Sequence, residues 1–357
     1  MITIILLTLL FIILIIITFI PKRKNITFYK CPHKPNSELL KTVLNENNFQ
    51  TQMNEFKLYM PCGYNYVESE LANENINSPY IFGLKGCDKI VSKNNLWLIL
   101  QNTYGRQGAS KIMPETYLIN DINEFRNAYE KVRQGTALIC KKNLQRKLGL
   151  KFAFNEKELE QCKKEDFKVA QLFFTNSFAI ENRKVNLRIY YVIKKVGNKI
   201  EFFLNNNGKV LYTKNPTSKK ITFESHITSY QMDPQLYDKL PHNFREFEKY
   251  IGKKNYKNLF AKIKQKMVYL SDAISYVFND KQYFDKKCFQ LFGVDVIIND
   301  GEPYILEVNK GPDMIPKCKK DIQLKKTIYE ETFRIGGVLY KPFKKNNFKK
   351  IFQYNFL

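Results

Sequence analysis

The sequence has little of what most catalytic and metal-binding constellations require. Its 357 residues include three histidines, His33, His226 and His242. No Ser/His/Asp or Cys/His arrangement is legible, so covalent nucleophilic catalysis is not the expected chemistry. Seven cysteines are spread along the chain with no C-x-x-C. That excludes a small disulfide scaffold, argues against structural zinc, and predicts free thiols in a reducing compartment. Glycine (15) and proline (13) are sparse beside 44% hydrophobic residues, so neither disorder nor a low-complexity chain is expected. Acidic residues are the minority, 34 against 58 Lys and Arg, for a net charge of +24. The excess fits an acidic polymer partner, but lysine is spread along the whole chain, and a solubilising background is favoured over a selected binding surface. No recognisable reader motif accompanies the charge, so no specific nucleic acid is expected.

What is present begins with Met1 to Ile20, which carries no charged side chain and is followed by Pro21, Lys22, Arg23 and Lys24. About 20 apolar residues span a hydrocarbon core of ~30 Å. The segment predicts one uncleaved transmembrane helix, and the positive-inside rule places the remainder in the cytoplasm. Residues 21–110 read as a small N-terminal α/β unit, with a helix after Ser92 that places Leu96, Ile99, Leu100 and Thr103 on one face before Gly105. Residues 111–175 follow as a central unit. There Asp121 and Glu124 form a capping-box signature ahead of Phe125, Tyr129 and Val132, Gly135 stops the helix, and Thr136 to Cys140 is a strand that Lys141 and Lys142 follow directly. Residues 176–340 form a C-terminal unit with a long helix from about Tyr256 to Phe278. The tail, 341–357, interleaves cations with aromatics; it could lie on an anionic membrane or RNA, and a disordered tail is the expectation.

Two strand patterns carry chemistry. In residues 184–191, Lys184, Asn186, Arg188 and Tyr190 alternate with Val185, Leu187, Ile189 and Tyr191, so both cations project from one face. That face either suits phosphate or is the wet side of an amphipathic strand. Phe289 to Asn299 and Pro303 to Asn309 read as a hairpin through Asp300-Gly301. A two-residue loop would set Asp295 opposite Leu306 and split the apolar residues across both faces. A three-residue loop, Asn299 to Gly301, puts Asp295 opposite Ile305 and diagonal to Glu307, with Asn309 further along and Tyr304, Leu306 and Val308 on the apolar face. Two carboxylates and an amide on one face are hard oxygen ligands suited to Mg²⁺, or else a solvated sheet face.

Phe289 to Asp295 and Leu306 to Pro312 resemble the signature of the tubulin–tyrosine ligase-like family, a branch of the ATP-grasp ligases. Met113 to Leu118, Val169 to Phe173, Arg183 to Tyr190 and His226 to Ser229 resemble further family blocks in order, over about residues 85–335. The resemblance implies a mixed α/β ATP-grasp fold. It also implies an ATP- and Mg²⁺-dependent ligase that joins a free amino acid to a protein carboxylate, typically of an acidic tubulin tail, through an acyl-phosphate. By the same resemblance Asp295, Glu307 and Asn309 would ligate Mg²⁺, Lys141 and Lys184 would contact phosphate, Gln171, Leu172 and Phe173 would border adenine, and Arg188 would stabilise the reacting acyl group. The sequence departs from the family pattern at Lys142, where Pro is expected, and at Asn186, Ser229 and Gln290. The glycine-rich phosphate lid is reduced to Arg146 to Leu150. A ligase fold without activity, tethering an acidic protein to a membrane, is the alternative.

Overall fold

The computed structural model describes residues 26–28, 37–52, 55–73, 76–144, 149–228, 232–340 and 345–357. Four short strands, β1 (Ile26–Phe28), β2 (Phe49–Thr51), β3 (Leu58–Tyr59) and β4 (Tyr80–Ile81), pair in parallel. A separate antiparallel sheet is ordered β5-β8-β6-β7 and comprises β5 (Thr116–Leu118), β6 (Leu138–Lys141), β7 (Leu150–Ala153) and β8 (Val169–Leu172). The remaining strands are β9 (Ala179–Ile180), β10 (Arg183–Val196), β11 (Lys199–Tyr212), β12 (Lys287–Asn299), β13 (Glu302–Asn309) and β14 (Phe348–Asn355). They join β1–β4 in one ten-stranded sheet, because β4 runs parallel to the start of β12. The first strands are thus built into the same sheet as the C-terminal ones.

Seven helices matter here: α1 (Glu38–Glu46), α2 (Lys93–Ser110), α3 (Ile122–Arg133), α4 (Glu156–Lys164), α5 (Phe244–Ile251), α6 (Lys253–Ser275) and α7 (Lys319–Gly336). The expected face of α6 is buried: Ile263, Met267, Leu270 and Ile274 pack with Val185, Leu187, Ile189 and Tyr191 of β10. Its N-terminal half carries exposed lysines. On the other side of the sheet, α1 and α7 cover Tyr190, Val192, Phe289 and Leu291. Both faces of β10 are therefore covered, and the wet-face reading of this strand fails: Lys184, Asn186 and Tyr190 are all buried. In the small sheet, α3 and α4 form a third core through Phe125, Val132, Leu159 and Cys162.

Local signals explain the element ends. Asp121 accepts the backbone N–H groups of Asn123 and Glu124, capping α3. Glu124 does not close the capping box; it accepts from Arg106 Nη1 at 2.6 Å instead. Gly105 breaks the α2 segment with φ 68° and ψ 168°, a conformation that glycine alone adopts without strain.

Four expectations are corrected. Among the described residues no helix is long and apolar enough to cross a membrane. The single-pass placement with a cytoplasmic domain therefore has no support, and the segment 1–20 that carried it lies outside the described residues. Cys62 is disulfide-bonded, so among the described residues the free-thiol reading holds for Cys87, Cys140, Cys162, Cys288 and Cys318 but not for Cys62. The tail is not disordered over Phe348–Asn355, where β14 pairs antiparallel with β11. Buried Glu331 of α7 fixes the approach to that strand by accepting Asn347 N at 3.0 Å and Asn347 Nδ2 at 2.7 Å.

The fourth correction concerns the β12–β13 turn. Asn299 pairs with Glu302, leaving a two-residue Asp300-Gly301 loop with φ of 51° and 73°, the signs of a type I′ turn. Parity is restored inside the strand. Val296 pairs with Ile305, the register then shifts at Leu306, and Asp295 stands directly opposite Glu307. Beyond that bulge Val308 faces the core, as Ile305 does before it. Tyr304 is on the other face and packs against Phe174 at 4.9 Å.

Candidate functional site

The bulge completes a row of charged residues across neighbouring strands. Lys209 of β11 is opposite Arg188 of β10, Arg188 is opposite Asp295 of β12, and Asp295 is opposite Glu307 of β13. The Arg188 guanidinium holds Asp295 with two bonds, Nη2 to Oδ2 at 2.9 Å and Nε to Oδ1. Gly293, one pleat along β12, leaves room for this side chain, because a Cβ there would stand 3.0 Å from Arg188 Cδ and 2.9 Å from Pro312 Cβ. Burial opposes the charge on Arg188, yet the Asp295 carboxylate holds its pKa above the ordinary value.

Glu307 accepts from Asn309 Nδ2 at 3.2 Å and lies 3.6 Å from Lys93 Nζ. Desolvation alone would raise its pKa. The net shift is downward, through Lys93 and Lys141, the Asn309 bond and Arg188. Lys141, at the end of β6, is buried and donates to Gln171 Oε1 at 2.6 Å. Gln171 in turn donates to Thr116 Oγ1 at 2.8 Å. Burial lowers the Lys141 pKa to about 8, although Glu307 and Asp295 pull the other way. The four-stranded and ten-stranded sheets thus bring Lys141, Glu307 and Asp295 into one electrostatic neighbourhood.

A second group adjoins it. Lys184 donates to the Phe174 carbonyl at 2.7 Å and lies 4.7 Å from the centre of the Phe173 ring. Burial lowers its pKa to about 8. Phe173, Phe152, Phe223 and His226 form an aromatic wall, with Phe152 at 5.0 Å from both Phe173 and Phe223. Burial, with help from Lys184, holds His226 down at about 4, so its ring is neutral at pH 7. Leu172 is half-buried and its N–H is already bonded to the Glu115 carbonyl. Between Lys184 and Arg188, Asn186 donates to Thr228 Oγ1 at 2.8 Å while its buried Oδ1 has no partner.

The nine residues singled out from sequence therefore fall into two adjoining groups: Arg188, Asp295, Glu307, Asn309, Lys141 and Gln171 in one, Lys184, Phe173 and Leu172 in the other. Ser229 and most of the reduced lid lie outside the described residues. Sequence reasoning missed Lys93. It starts α2, its backbone N–H donates to Asn143 Oδ1 at 2.9 Å, and its Nζ reaches the Leu144 carbonyl at 3.2 Å. No local pattern marks it, since its place beside Glu307 depends on the two sheets meeting. Gln290 is also absorbed into the framework: it accepts from Leu84 N at 2.9 Å and donates to the Lys310 carbonyl at 3.3 Å.

The family model described as "Tubulin-tyrosine ligase family" matches residues 79–347. The chain belongs to the tubulin-tyrosine ligase family. Individual relatives are distant. The probable tubulin polyglutamylase TTLL9 of Bos taurus is 24% identical over 179 residues, covering 47% of this chain and 38% of the relative. The tubulin polyglutamylase TTLL5 of Mus musculus is 23% identical over 262 residues, covering 67% of this chain but 19% of the relative. The probable alpha-tubulin polyglutamylase Ttll1 of Tetrahymena thermophila is 22% identical, covering 77% of this chain and 67% of the relative. The match thus spans well under half the length of the first two relatives.

Proposed function

We propose that this family member is an ATP-dependent ligase that joins a free amino acid to a carboxylate of an acidic protein, with tubulin as the first acceptor to test. The observation that carries the reading is the row Arg188–Asp295–Glu307, flanked by Asn309 and faced by the buried cation Lys141 and by Lys93. The relatives named as tubulin polyglutamylases support the same class of reaction.

The donor set fits Mg²⁺. Asp295, Glu307 and Asn309 offer hard oxygen atoms on one sheet face, and three cations beside two carboxylates leave positive charge for phosphate. The unpartnered Asn186 Oδ1 is a further acceptor for a ligand's donor. When bound, the ion supplies charge neutralisation along the phosphates. Lys141 and Lys184 hold phosphate oxygens, and the Phe173 edge with Gln171 and Leu172 borders the base. In the reaction the terminal phosphoryl group of ATP passes to the acceptor carboxylate and ADP departs. The amine of the amino acid, after losing a proton, then attacks the acyl carbon and inorganic phosphate leaves. Arg188 donates to the carboxyl oxygen on which negative charge grows, a role that needs no covalent enzyme nucleophile.

Calorimetric titration with Mg·ATP tests the reading at its base. Micromolar to low-millimolar binding that is lost in Glu307→Ala, at an unchanged melting temperature, is the expected result. A folded chain with no affinity for Mg·ATP would leave a binding module and remove the ligase.

A further inference from the structure

The even-numbered face of β10 carries Lys184 and Arg188 at one end and Lys194 at the other, with α7 packed over Tyr190 and Val192 between them. Around Lys194 the strands bring together an uneven set of charges. Lys194 is opposite Glu201 of β11, while Val196 is opposite both Lys199 of β11 and Lys287 of β12. Lys199 and Lys350 of β14 both reach the Glu201 carboxylate, at 3.0 and 3.1 Å. Lys287 is exposed and lies over the Tyr80 ring at 5.2 Å. Lys199 and Lys350 pair with the Glu201 carboxylate, which also faces Lys194, and Lys287 adds a fourth cation beside Lys194. Burial lowers the Lys194 pKa, Glu201 opposes that, and Lys287, Lys199 and Lys350 add to it. Like charges so arranged on a sheet face destabilise it unless an anion offsets them.

We propose that this cluster docks an extended acidic peptide segment, a stretch of the acceptor protein remote from the residue being modified. The inference rests on the acidic acceptor of the proposed reaction and deepens it by locating where that acceptor is held. Neighbouring strands are ~4.8 Å apart, so the lysines form a grid of roughly 5–10 Å, and an extended chain presents every second side chain at a comparable ~6.8 Å. Exposed Val196 and half-buried Phe203 lie among the cations and offer apolar contact to glutamate methylenes. Arg188 and Lys194 are separated by about 20 Å of strand at ~3.3 Å per residue, and because α7 covers Tyr190 and Val192 between them, a peptide joining the two sites passes over or around that helix and is longer than the direct span. The lysines on the N-terminal half of α6, by contrast, sit on the helix that packs against the opposite face.

The test uses a fluorescein-labelled twelve-residue oligoglutamate peptide and the full chain, read by anisotropy at low salt. The triple variant Lys199→Glu/Lys287→Glu/Lys350→Glu should weaken binding tenfold or more. A control of equal charge change on α6, Lys254→Glu/Lys257→Glu/Lys264→Glu, should stay within threefold. Melting temperatures check folding, and if the first variant unfolds, the triple alanine version is read instead, with at least a threefold loss expected. Equal losses in the two sets would overturn the proposal by showing that only net charge acts. Tighter binding of a twelve-residue oligouridine, or of vesicles containing phosphatidylserine, through the same three lysines would overturn the peptide as occupant. Mg·ATP binding is measured in parallel. A parent that binds Mg·ATP but shows no lysine-specific peptide binding refutes the docking surface alone, whereas peptide binding without Mg·ATP binding refutes the ligase reading instead.

Discussion

Asp295 and Glu307 stand opposite one another because Leu306 is accommodated as a bulge in β13. The type I′ turn fixes the register of the hairpin's first half, and the extra residue is absorbed before the carboxylates pair. Bulges of this kind bend a strand and re-aim the residues beside them.

One consequence is counterintuitive. Deleting Leu306 leaves Ile305 and Val308 on the core side and Glu307 next in line for Asp295, so the ladder becomes regular without moving the carboxylate to the wrong face. Mg·ATP affinity should stay within about fivefold of the parent, with a loss of roughly 1–2 kcal/mol of stability from the missing packing. Chemical denaturation and calorimetry of the deletion variant check both. Abolished nucleotide binding in a folded variant would show that the bulge aims Glu307 rather than merely accommodating a residue.

Gly293 is expected to be intolerant of a side chain. Alanine there meets Arg188 Cδ and Pro312 Cβ at about 3 Å, so the guanidinium or the loop after Asn309 must shift. Overpacking of this type costs about 1–3 kcal/mol. Turnover should fall at least tenfold while Mg·ATP affinity changes less, as separate binding and rate measurements would show.

The pH dependence follows from Lys184 and Lys141, whose folded pKa values of about 8 lie below the ordinary lysine value because of burial. Between about 8 and the unfolded value, the unfolded chain binds more protons, so these two groups favour folding as pH rises through that window. Phosphate binding has the opposite sign. The lysines are charged at pH 7 and largely neutral by pH 9, so Mg·ATP affinity should weaken by up to about tenfold per lysine over that range. Replacing Lys184 with Arg, which keeps its charge, should flatten the profile. A profile unchanged by that substitution would show that Lys184 does not contact phosphate.

Removing residues 345–357 should destabilise the domain rather than trim a tail. It strips β14 from β11 and leaves the Glu331 carboxylate, buried at 1% exposure, without its Asn347 partners. Asn205 Nδ2 still donates to one carboxylate oxygen at 3.1 Å, but the loss of both donors to the other oxygen together with the lost strand costs about 3 kcal/mol. A melting temperature within 2 °C of the parent would contradict this.

Much of the fold was legible where periodicity and caps act locally. The buried stripe of α6, the Asp121 cap and the alternation of Val185, Leu187, Ile189 and Tyr191 all appear as read, and the strand read over Thr136 to Cys140 is present, shifted to Leu138–Lys141. What was not legible depends on long-range contact. Tyr190 looked like a surface residue because α7, more than 120 positions later, is what covers it. The bulge at Leu306 was invisible because an odd loop and a bulge restore parity equally well in sequence. Lys93 gains its partner Glu307 from 214 positions away, through the meeting of the sheets. The lysine and aromatic composition of the tail suggested disorder, whereas a free edge of β11 and the Glu331 bonds order it.

Mass spectrometry of an acceptor protein is the most direct test of the ligase chemistry. Purified tubulin is incubated with the chain, Mg·ATP and a mixture of amino acids, and its peptides are searched for added amino-acid residues. A mass increase equal to one or more amino-acid residues is expected, dependent on ATP, with release of ADP and phosphate. The increase should disappear in Asp295→Ala and Glu307→Ala, and Arg188→Ala should slow it by about 10²–10³-fold. Unmodified tubulin, from a folded chain that also fails to bind Mg·ATP, would contradict it.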